Sequence, residues 1–289
     1  MTTTLRFLGA SGFEVIGPRF RVLFEPMLSA NPWAPVSADD IETPDLICVS
    51  HGAWDHLGDA AAIAKRTGAP VLTSSDVARK LVAEGVPRDQ VRATIWGVCY
   101  EINGVLVRPV ECHHWTASEL PDGSVVSGNP LAFLIETEPG VRIYHFGDTA
   151  LYSDLKLTGE LYRPTVGLLG CAQTDGLPDD PGAGTVVSGE MTPDEAALAA
   201  EFLGVRYAIA THYMHPGAEA QEFLRRVPAR DSTGQRIALA PAIGETIDIE
   251  PVDGDFPHLV WGRTSPEWDP GYRPAMAPPP DVPIGGEAT

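Results

Sequence analysis

The residues from 50 to 59 read SHGAWDHLGD and place His51, Asp55 and His56 close together in the chain. Imidazole nitrogens and carboxylate oxygens are the ligands that zinc and neighbouring divalent metals prefer, and a catalytic metal keeps one position for water. A lone pattern of this kind is more often a loop with a capping aspartate. Other segments must therefore decide whether a metal is bound here.

Three later segments carry similar residues, namely ECHHWT (111–116), HFGDT (145–149) and THYMHP (211–216). Each follows a run that predicts a strand, and SHGAWDH itself follows the buried-strand pattern DLICVS (45–50). Strand ends hold side chains firmly while the loops leave room for a ligand. Taken singly, His212 and Asp148 could be a hydrogen-bonded strand-end histidine and a turn aspartate. Their joint occurrence at strand ends predicts a metal centre.

The elements that must position these residues are short strands with helices interleaved. The patterns LRFLG, FEVI and FRVLFEP open the chain as strands, and MTPDEAALAAEFLG predicts a helix that begins with a capping box at Thr192 and Glu195. Strands dominate both halves, so two packed sheets with helices outside are the economical architecture. We therefore expect an α/β protein, a four-layer αββα sandwich.

Charge and composition limit the partners. The 289 residues carry a formal net charge of -19, which disfavours nucleic acid and anionic membrane surfaces and leaves a small molecule as the expected substrate. The N-terminus lacks the pattern of a signal peptide, and no apolar run approaches the length of a membrane span. We expect a cytoplasmic protein with reduced cysteines.

Two segments stand apart from the predicted elements. Residues 1–262 form the expected globular domain, and residues 263–289 form a tail too rich in Pro and Gly for a helix or central strand. This tail is either a loose extension or an arm across a partner subunit, which would make a homo-oligomer. Residues 176–189 are either a flap over the metal site or a plain long connection.

In their order the motifs LGASGFEV, VLFEPML, VSHGAWDHLGD, HHWT, HFGDT, EMTPDEAALAAEFLG and THY resemble the metallo-β-lactamase fold hydrolases. Within them, they look most like the branch of ascorbate-6-phosphate lactonase-like proteins and N-acylphosphatidylethanolamine phospholipase D. The resemblance covers roughly residues 5 to 250 and departs from the family at Glu25, where an Asp is usual, and at Ala53.

The resemblance implies two metal positions, whose ligands are carried over from the family motifs. The first would use His51 and a histidine of the HHW motif, the second would use Asp55, His56 and His212, and Asp148 would bridge them. His114 matches the family's ligand better than His113, although loop geometry could reverse that choice. The expected cofactor is one or two divalent ions, with zinc favoured and manganese, iron or nickel as alternatives.

Ala53 is the departure that matters, because the family has a ligand histidine there and alanine offers no donor atom. We expect the second position to hold its ion firmly and the first to hold one weakly or with another ligand. The candidate replacement ligands are His113, Glu190 and His145.

The expected reaction is hydrolysis of a small carbonyl compound, a lactone or amide, through metal-bound hydroxide. Asp55 or Asp148 would orient the water, and His215 could donate a proton to the leaving group or be a surface histidine. Trp54 and Tyr213 are the expected substrate contacts. The alternatives are a phosphodiesterase or phospholipase-type hydrolase and a metal-binding scaffold without turnover.

Overall fold

Residues 2–172, 189–254, 256 and 259 are described by the computed structural model. The tail at 263–289 and all of the candidate flap except Gly189 lie outside these residues, so both remain predictions. The division of the chain at residue 262 likewise remains a prediction. No helix in the described ranges is long and apolar enough to cross a bilayer.

The first sheet has seven strands in the order β16-β1-β2-β3-β4-β5-β6. Strands β3 to β6 run parallel to one another, while β16, β1, β2 and β3 pair antiparallel. Its strands are β1 Thr3–Gly9, β2 Gly12–Ile16, β3 Arg21–Phe24, β4 Leu46–Val49, β5 Val71–Thr73, β6 Val91–Ala93 and β16 Thr246–Ile249.

The second sheet also has seven strands, in the order β15-β14-β13-β12-β11-β8-β7, and a separate hairpin pairs β9 with β10. Its strands are β7 Tyr100–Ile102, β8 Val105–Val110, β11 Ala132–Glu138, β12 Val141–His145, β13 Val166–Gly170, β14 Tyr207–Thr211 and β15 Ile237–Leu239; the hairpin is β9 Ala117–Glu119 and β10 Val125–Ser127.

Helices cover the outer faces of both sheets. They are α1 Trp54–Leu57, α2 Ala60–Thr67, α3 Ser75–Ala83, α4 Leu155–Tyr162, α5 Pro193–Leu203 and α6 Ala218–Ala229. Ile63 and Leu81 join a core with Ile47 between the first sheet and its helices, whereas α5 and α6 pack on the second sheet. A larger core lies between the sheets, where the Phe24 and Phe133 rings are 6.0 Å apart. The fold is the expected αββα sandwich.

This topology gathers the predicted strand ends. Strands β12, β13 and β14 are parallel, and β8 has the same direction because both β8 and β12 pair antiparallel with β11. The segments that follow β8, β12 and β14 therefore leave the second sheet at one edge. The segment after β4 reaches that edge from the first sheet, since the Ser50 carbonyl accepts a hydrogen bond from the Leu131 N–H.

Candidate metal centre

Asp148 lies at the middle of a cluster made of the predicted ligands. Its Oδ1 is 3.0 Å from His212 Nε2, and its Oδ2 is 3.1 Å from His56 Nε2. The same Oδ2 lies 3.8 Å from His51 Nε2 and 3.9 Å from His114 Nε2. Asp55 Oδ2 completes the cluster at 3.5 Å from His212 Nε2. The structure thus brings together all six residues that the motifs suggested as ligands.

Two of the imidazoles are oriented by acceptors behind them. His212 Nδ1 donates to the Ala172 carbonyl at 2.8 Å, and His56 Nδ1 lies 3.1 Å from the buried carboxylate of Glu25. Carbonyl and carboxylate oxygens only accept, so each Nδ1 carries a proton and each Nε2 faces Asp148. Metal-binding histidines are typically supported in this way by a second hydrogen bond.

Several polar atoms of the cluster have no hydrogen-bond partner within the described part of the chain. They are Nε2 of His51, His56 and His212 and Oδ1 of Asp148, all in side chains at most 3% exposed. Buried polar atoms are almost always paired, because an unpaired one costs about 1–3 kcal/mol. Three nitrogens and one oxygen that converge without hydrogen bonds are the donor set of a divalent transition metal. The residues therefore fit the metal ion that the motifs imply.

The charges in the cluster separate the histidines into two pairs. Burial lowers the pKa of His212, but the Asp148 and Asp55 carboxylates outweigh it and raise this pKa to about 10. Burial is likewise outweighed at His56, whose pKa the Asp148, Asp55 and Glu25 carboxylates raise. At His51 and His114, burial prevails and lowers the pKa. Without a metal, positive charge therefore collects at His56 and His212.

Of the three residues considered as replacements for a ligand at position 53, the structure places one near the cluster and the other two in contacts elsewhere. Glu190 groups with His114 and Asp148, because ligand atoms of the three lie within 4.8 Å of one another. His145 is engaged elsewhere: its Nε2 lies 2.9 Å from the Ser11 carbonyl and its Nδ1 accepts from the Gly147 N–H. His113 is exposed, pairs with Glu111 at 3.0 Å and stacks on Tyr152.

The backbone around Asp148 and His212 takes a conformation that non-glycine residues rarely adopt. Both residues have a φ of 69°, and Gly147 before Asp148 has a φ of 61° with the Leu131 carbonyl so close that a Cβ would lie 2.0 Å from its oxygen. The His212 turn is held from the first sheet, since the Ala10 carbonyl accepts from the His212 N–H at 2.8 Å. Such backbone strain persists only where surrounding contacts enforce it, and it clusters at functional sites.

A buried aspartate outside the cluster links the His51 loop to the His114 loop. Asp76, 1% exposed, accepts hydrogen bonds from the hydroxyls of Thr116 at 2.6 Å and Ser118 at 2.9 Å. The Thr116 hydroxyl in turn accepts from the Gly52 N–H at 3.0 Å. A Cβ on Gly52 would lie 2.5 Å from the Ser118 hydroxyl oxygen, so this close contact requires glycine.

The remaining expected residues lie in different surroundings. Trp54 is 50% exposed beside Asp55. Tyr213 is 4% exposed, and its hydroxyl donates to the Pro241 carbonyl at 2.9 Å, so the structure buries the side chain that was expected to contact substrate. His215 is exposed and packs edge to face on Trp33 at 4.5 Å. It does not belong to the potential ligand groups found among the described residues.

A surface cavity of 460 Å³ adjoins the His114 loop and is lined by side chains that include Trp96, His114 and Trp115. Trp115 and Trp54, each next to a candidate ligand in sequence, are 74% and 50% exposed. The cavity beside His114 and Trp115 indicates where the apolar part of a ligand could bind.

Glu25 and Asp76 are the supporting residues that the sequence motifs did not assign. The sequence shows that Glu25 stands where the family usually has an Asp. It does not show that Glu25 contacts His56, which is 31 positions away in the chain. Burial raises the pKa of Glu25, while the charge of His56 and hydrogen bonds from His56 and Ser50 act in the opposite direction. Asp76 lies in α3, and none of the sequence motifs indicated a role for it.

Comparison with known proteins gives consistent matches. Residues 20–213 match the model of the Beta-lactamase superfamily domain. A UPF0173 metal-dependent hydrolase from Methanopyrus kandleri is 38% identical over 77% of this chain and 90% of its own length, and one from Rubrobacter xylanophilus is 33% identical over 73% and 81%. Among solved structures, Igni18, a metallo hydrolase from Ignicoccus hospitalis, superposes with a TM-score of 0.68 at 24% identity over 86% of this chain and 99% of its own.

Proposed function

Because this chain belongs to the UPF0173 metal-dependent hydrolases of the beta-lactamase superfamily, we propose that it hydrolyses a small carbonyl compound, a lactone or cyclic amide. The observation that carries this proposal is the convergence of unpartnered Nε2 atoms from His51, His56 and His212 on Asp148. The ligands His51, His114 and Asp148 would hold one divalent ion, and Asp55, His56, Asp148 and His212 the other. Zinc is the proposed metal.

Such an ion, when bound, lowers the pKa of water toward about 7 and polarises a carbonyl oxygen. The chain's own residues would orient the reactants. Burial raises the pKa of Asp55, but the charges of His56 and His212 outweigh it, so the Asp55 pKa is lowered and the carboxylate is ionised at neutral pH. An ionised carboxylate at this place can accept a hydrogen bond from the attacking water.

Proton delivery to the leaving group is assigned to His215, which follows the His212 turn and faces solvent beside Trp33. An imidazole can donate a proton to a leaving oxygen or nitrogen. The exposed indoles of Trp54 and Trp115 would contact an apolar part of the substrate. The net charge of -19 favours a neutral carbonyl substrate over a phosphodiester.

The test combines metal analysis with a substrate panel. The purified protein, incubated with zinc or manganese, should hold one or two ions per chain and hydrolyse members of a panel of lactones and cyclic amides faster than phosphodiesters. The adjacent histidines give a matched pair: His114→Ala should lower ion content and activity, whereas His113→Ala should change neither. His212→Ala should remove the ion of the second position and all turnover.

Three results would contradict the proposal. Less than about a tenth of an ion per chain after incubation with micromolar metal would exclude a metal-dependent hydrolase. A protein that binds metal but turns over no compound in the panel would instead be a binding scaffold. Preferred cleavage of phosphodiesters would place it among phosphodiesterase-type hydrolases.

A further inference from the structure

Position 53 cannot supply a ligand, although it lies between the candidate ligands His51 and Asp55 in the chain. Ala53 precedes α1 in an extended conformation, with a φ of -65° and a ψ of 148°, and is half-buried between His51 and Asp55. Its methyl group has no donor atom. The first metal position therefore keeps two imidazoles and the shared Asp148, which is one protein ligand fewer than the second position has in Asp55, His56, Asp148 and His212.

Glu190, in the segment before α5, lies near two candidate ligands of the first metal position. One of its carboxylate oxygens lies within 4.8 Å of ligand atoms of both His114 and Asp148. The neighbouring Gly189 runs so close to the His114 ring that a Cβ there would lie 3.4 Å from Cε1. Asp148 and His51 belong to another potential ligand group with His56, and the His51 and His114 rings are 4.9 Å apart. Asp148 is common to both groups.

The segment that carries Glu190 is anchored on its C-terminal side. The Thr192 hydroxyl accepts from the Glu195 N–H, and the Glu195 carboxylate accepts from the Thr192 N–H at 2.8 Å, which forms a complete capping box. Met191, between Glu190 and this cap, is 2% exposed in the main core. The capping box and the buried Met191 side chain together fix the position of the backbone that carries Glu190 near His114.

We propose that Glu190 is a ligand of the first metal position and replaces the donor that Ala53 lacks. This inference rests on the proposed function and deepens it. Each position then has two imidazoles and two carboxylates, with Asp148 shared: His51, His114, Asp148 and Glu190 at the first, and Asp55, His56, Asp148 and His212 at the second.

The exchange of an imidazole for a carboxylate has chemical consequences. Carboxylate oxygen is a harder ligand than imidazole nitrogen and suits manganese and iron better relative to zinc. It also adds one negative charge to a site that already contains Asp55 and Asp148, which lowers the net positive charge of a two-ion centre. We expect the first position to accept manganese more readily than a position built on three histidines.

The experiment measures bound metal, independently of turnover, in the full chain. Wild type, Glu190→Gln, Glu201→Gln and the double variant Ala53→His/Glu190→Gln are each incubated with zinc or with manganese, desalted and analysed for ions per chain. Glu201 is the matched control because it is an exposed glutamate on α5, the helix that Glu190 precedes. Thermal unfolding monitors whether each variant folds.

We expect about two ions per chain in wild type and in Glu201→Gln, and about one in Glu190→Gln. The double variant should regain the second ion with zinc and bind it less well with manganese, because it restores an imidazole and removes a carboxylate. This rescue separates loss of a ligand from a general loss of structure.

The outcomes distinguish this inference from the proposed function. Equal ion content in wild type and Glu190→Gln, whether one or two ions, would overturn the role of Glu190 and leave the metal-dependent hydrolase intact. Wild type without bound metal would overturn both. Loss of an ion in Glu190→Gln that Ala53→His does not restore would also overturn it, since position 53 and Glu190 would not then serve the same ion.

Discussion

The two halves of the metal centre are built differently. In the second half, His56 and His212 are at most 1% exposed, and each Nδ1 is bound to an acceptor fixed by a strand end. In the first half, the His114 side chain is 10% exposed on the loop after β8, and Glu190 precedes a helix. His51 of the first half is also buried, shortly after β4, so the two halves differ at His114 and Glu190. The departure at Ala53 belongs to this first half.

The pKa values of the histidines also differ between the two halves. Carboxylates raise the pKa of His56 and His212, whereas burial lowers the pKa of His51 and His114. In the metal-free protein the second half therefore stores protons that a metal must displace, and the first half presents neutral imidazoles. The two positions should respond differently to mutation and to pH.

The largest difference should follow from Glu25→Gln. A glutamine has one acceptor oxygen in place of two, so it cannot serve both the Ser50 N–H and His56 Nδ1 as the Glu25 carboxylate does. Loss of such a supporting hydrogen bond typically weakens metal affinity 10- to 100-fold. We expect a loss toward about 100-fold at the second position and little change at the first, measured by isothermal titration with zinc.

Glu14→Gln is the control for this comparison. Glu14 is 2% exposed on β2, next to β3, and forms an ion pair with Arg21 at a distance from the cluster. The Glu14→Gln variant should be less stable than wild type but bind metal with the same affinity at both positions. Equal loss of affinity at both positions in Glu25→Gln would contradict the separation of the two halves.

Raising the pH should strengthen metal binding at the second position. A pKa of about 10 for His212 means that a metal must displace a proton at neutral pH, so apparent affinity should rise about tenfold per pH unit for each proton released. Titrations between about pH 7 and 9, in buffers of different ionisation enthalpy, measure this proton release directly. An affinity independent of pH would contradict the assignment of protons to this half.

The same pKa values predict an opposite trend for the stability of the metal-free protein. A histidine whose folded pKa is raised stabilises the fold fully below its unfolded pKa of about 6.5 and loses this effect as pH rises through the folded value. The Tm of the chelator-treated protein should therefore fall from about pH 7 to 10. The lowered pKa values of Asp55 and Asp148 act only at acidic pH and do not affect this range.

Asp76→Asn should weaken the first half. The amide keeps one acceptor oxygen but places an NH2 group among the hydroxyls of Ser74, Thr116 and Ser118, which now donate to the carboxylate. Since Thr116 connects Asp76 to the Gly52 N–H, both loops of the first half should shift. We expect about a tenfold loss of affinity at the first position, measured by metal titration.

Asp45→Asn provides the matched control, because Asp45 accepts from the Arg21 N–H just before β4, at the end of that strand opposite to His51. It should leave both affinities unchanged. If Asp76→Asn lowers only the Tm and leaves metal affinity as in wild type, Asp76 is structural and does not position the ligands.

The sequence predicts much of this fold, and its failures have physical causes. The capping box at Thr192 is where the local pattern predicted it. Helix α4 was not predicted, and it contains Gly159, a residue type that disfavours helices. The structure shows why glycine is there: a Cβ would lie 2.4 Å from the Phe202 carbonyl oxygen, so α4 packs closely on α5. Tertiary contact overrides local propensity.

The candidate site shows the same limit. The candidate ligands after β4, β8, β12 and β14 could be located because their residue types and strand-end positions are local properties of the chain, whereas their division between two metal positions came from the family resemblance. Glu25 and Asp76 could not, since their partners lie 31 and 40 positions away. Which of His113, Glu190 and His145 lies near the candidate ligands His114 and Asp148 is likewise a matter of loop packing.

The smallest expected effect comes from Ser50→Ala, which tests a hydroxyl that contacts a histidine of each half. Ser50 Oγ lies 2.8 Å from His51 Nδ1 and 3.3 Å from His56 Nδ1. His56 keeps its bond to Glu25 when this hydroxyl is removed, so we expect no change at the second position and a loss of about tenfold or less at the first. Thr73→Val is the control, because the Thr73 hydroxyl is buried at the end of neighbouring β5 and has no partner among the described residues. A larger loss at the second position would mean that Glu25 alone does not orient His56, and that the two halves share their support through Ser50.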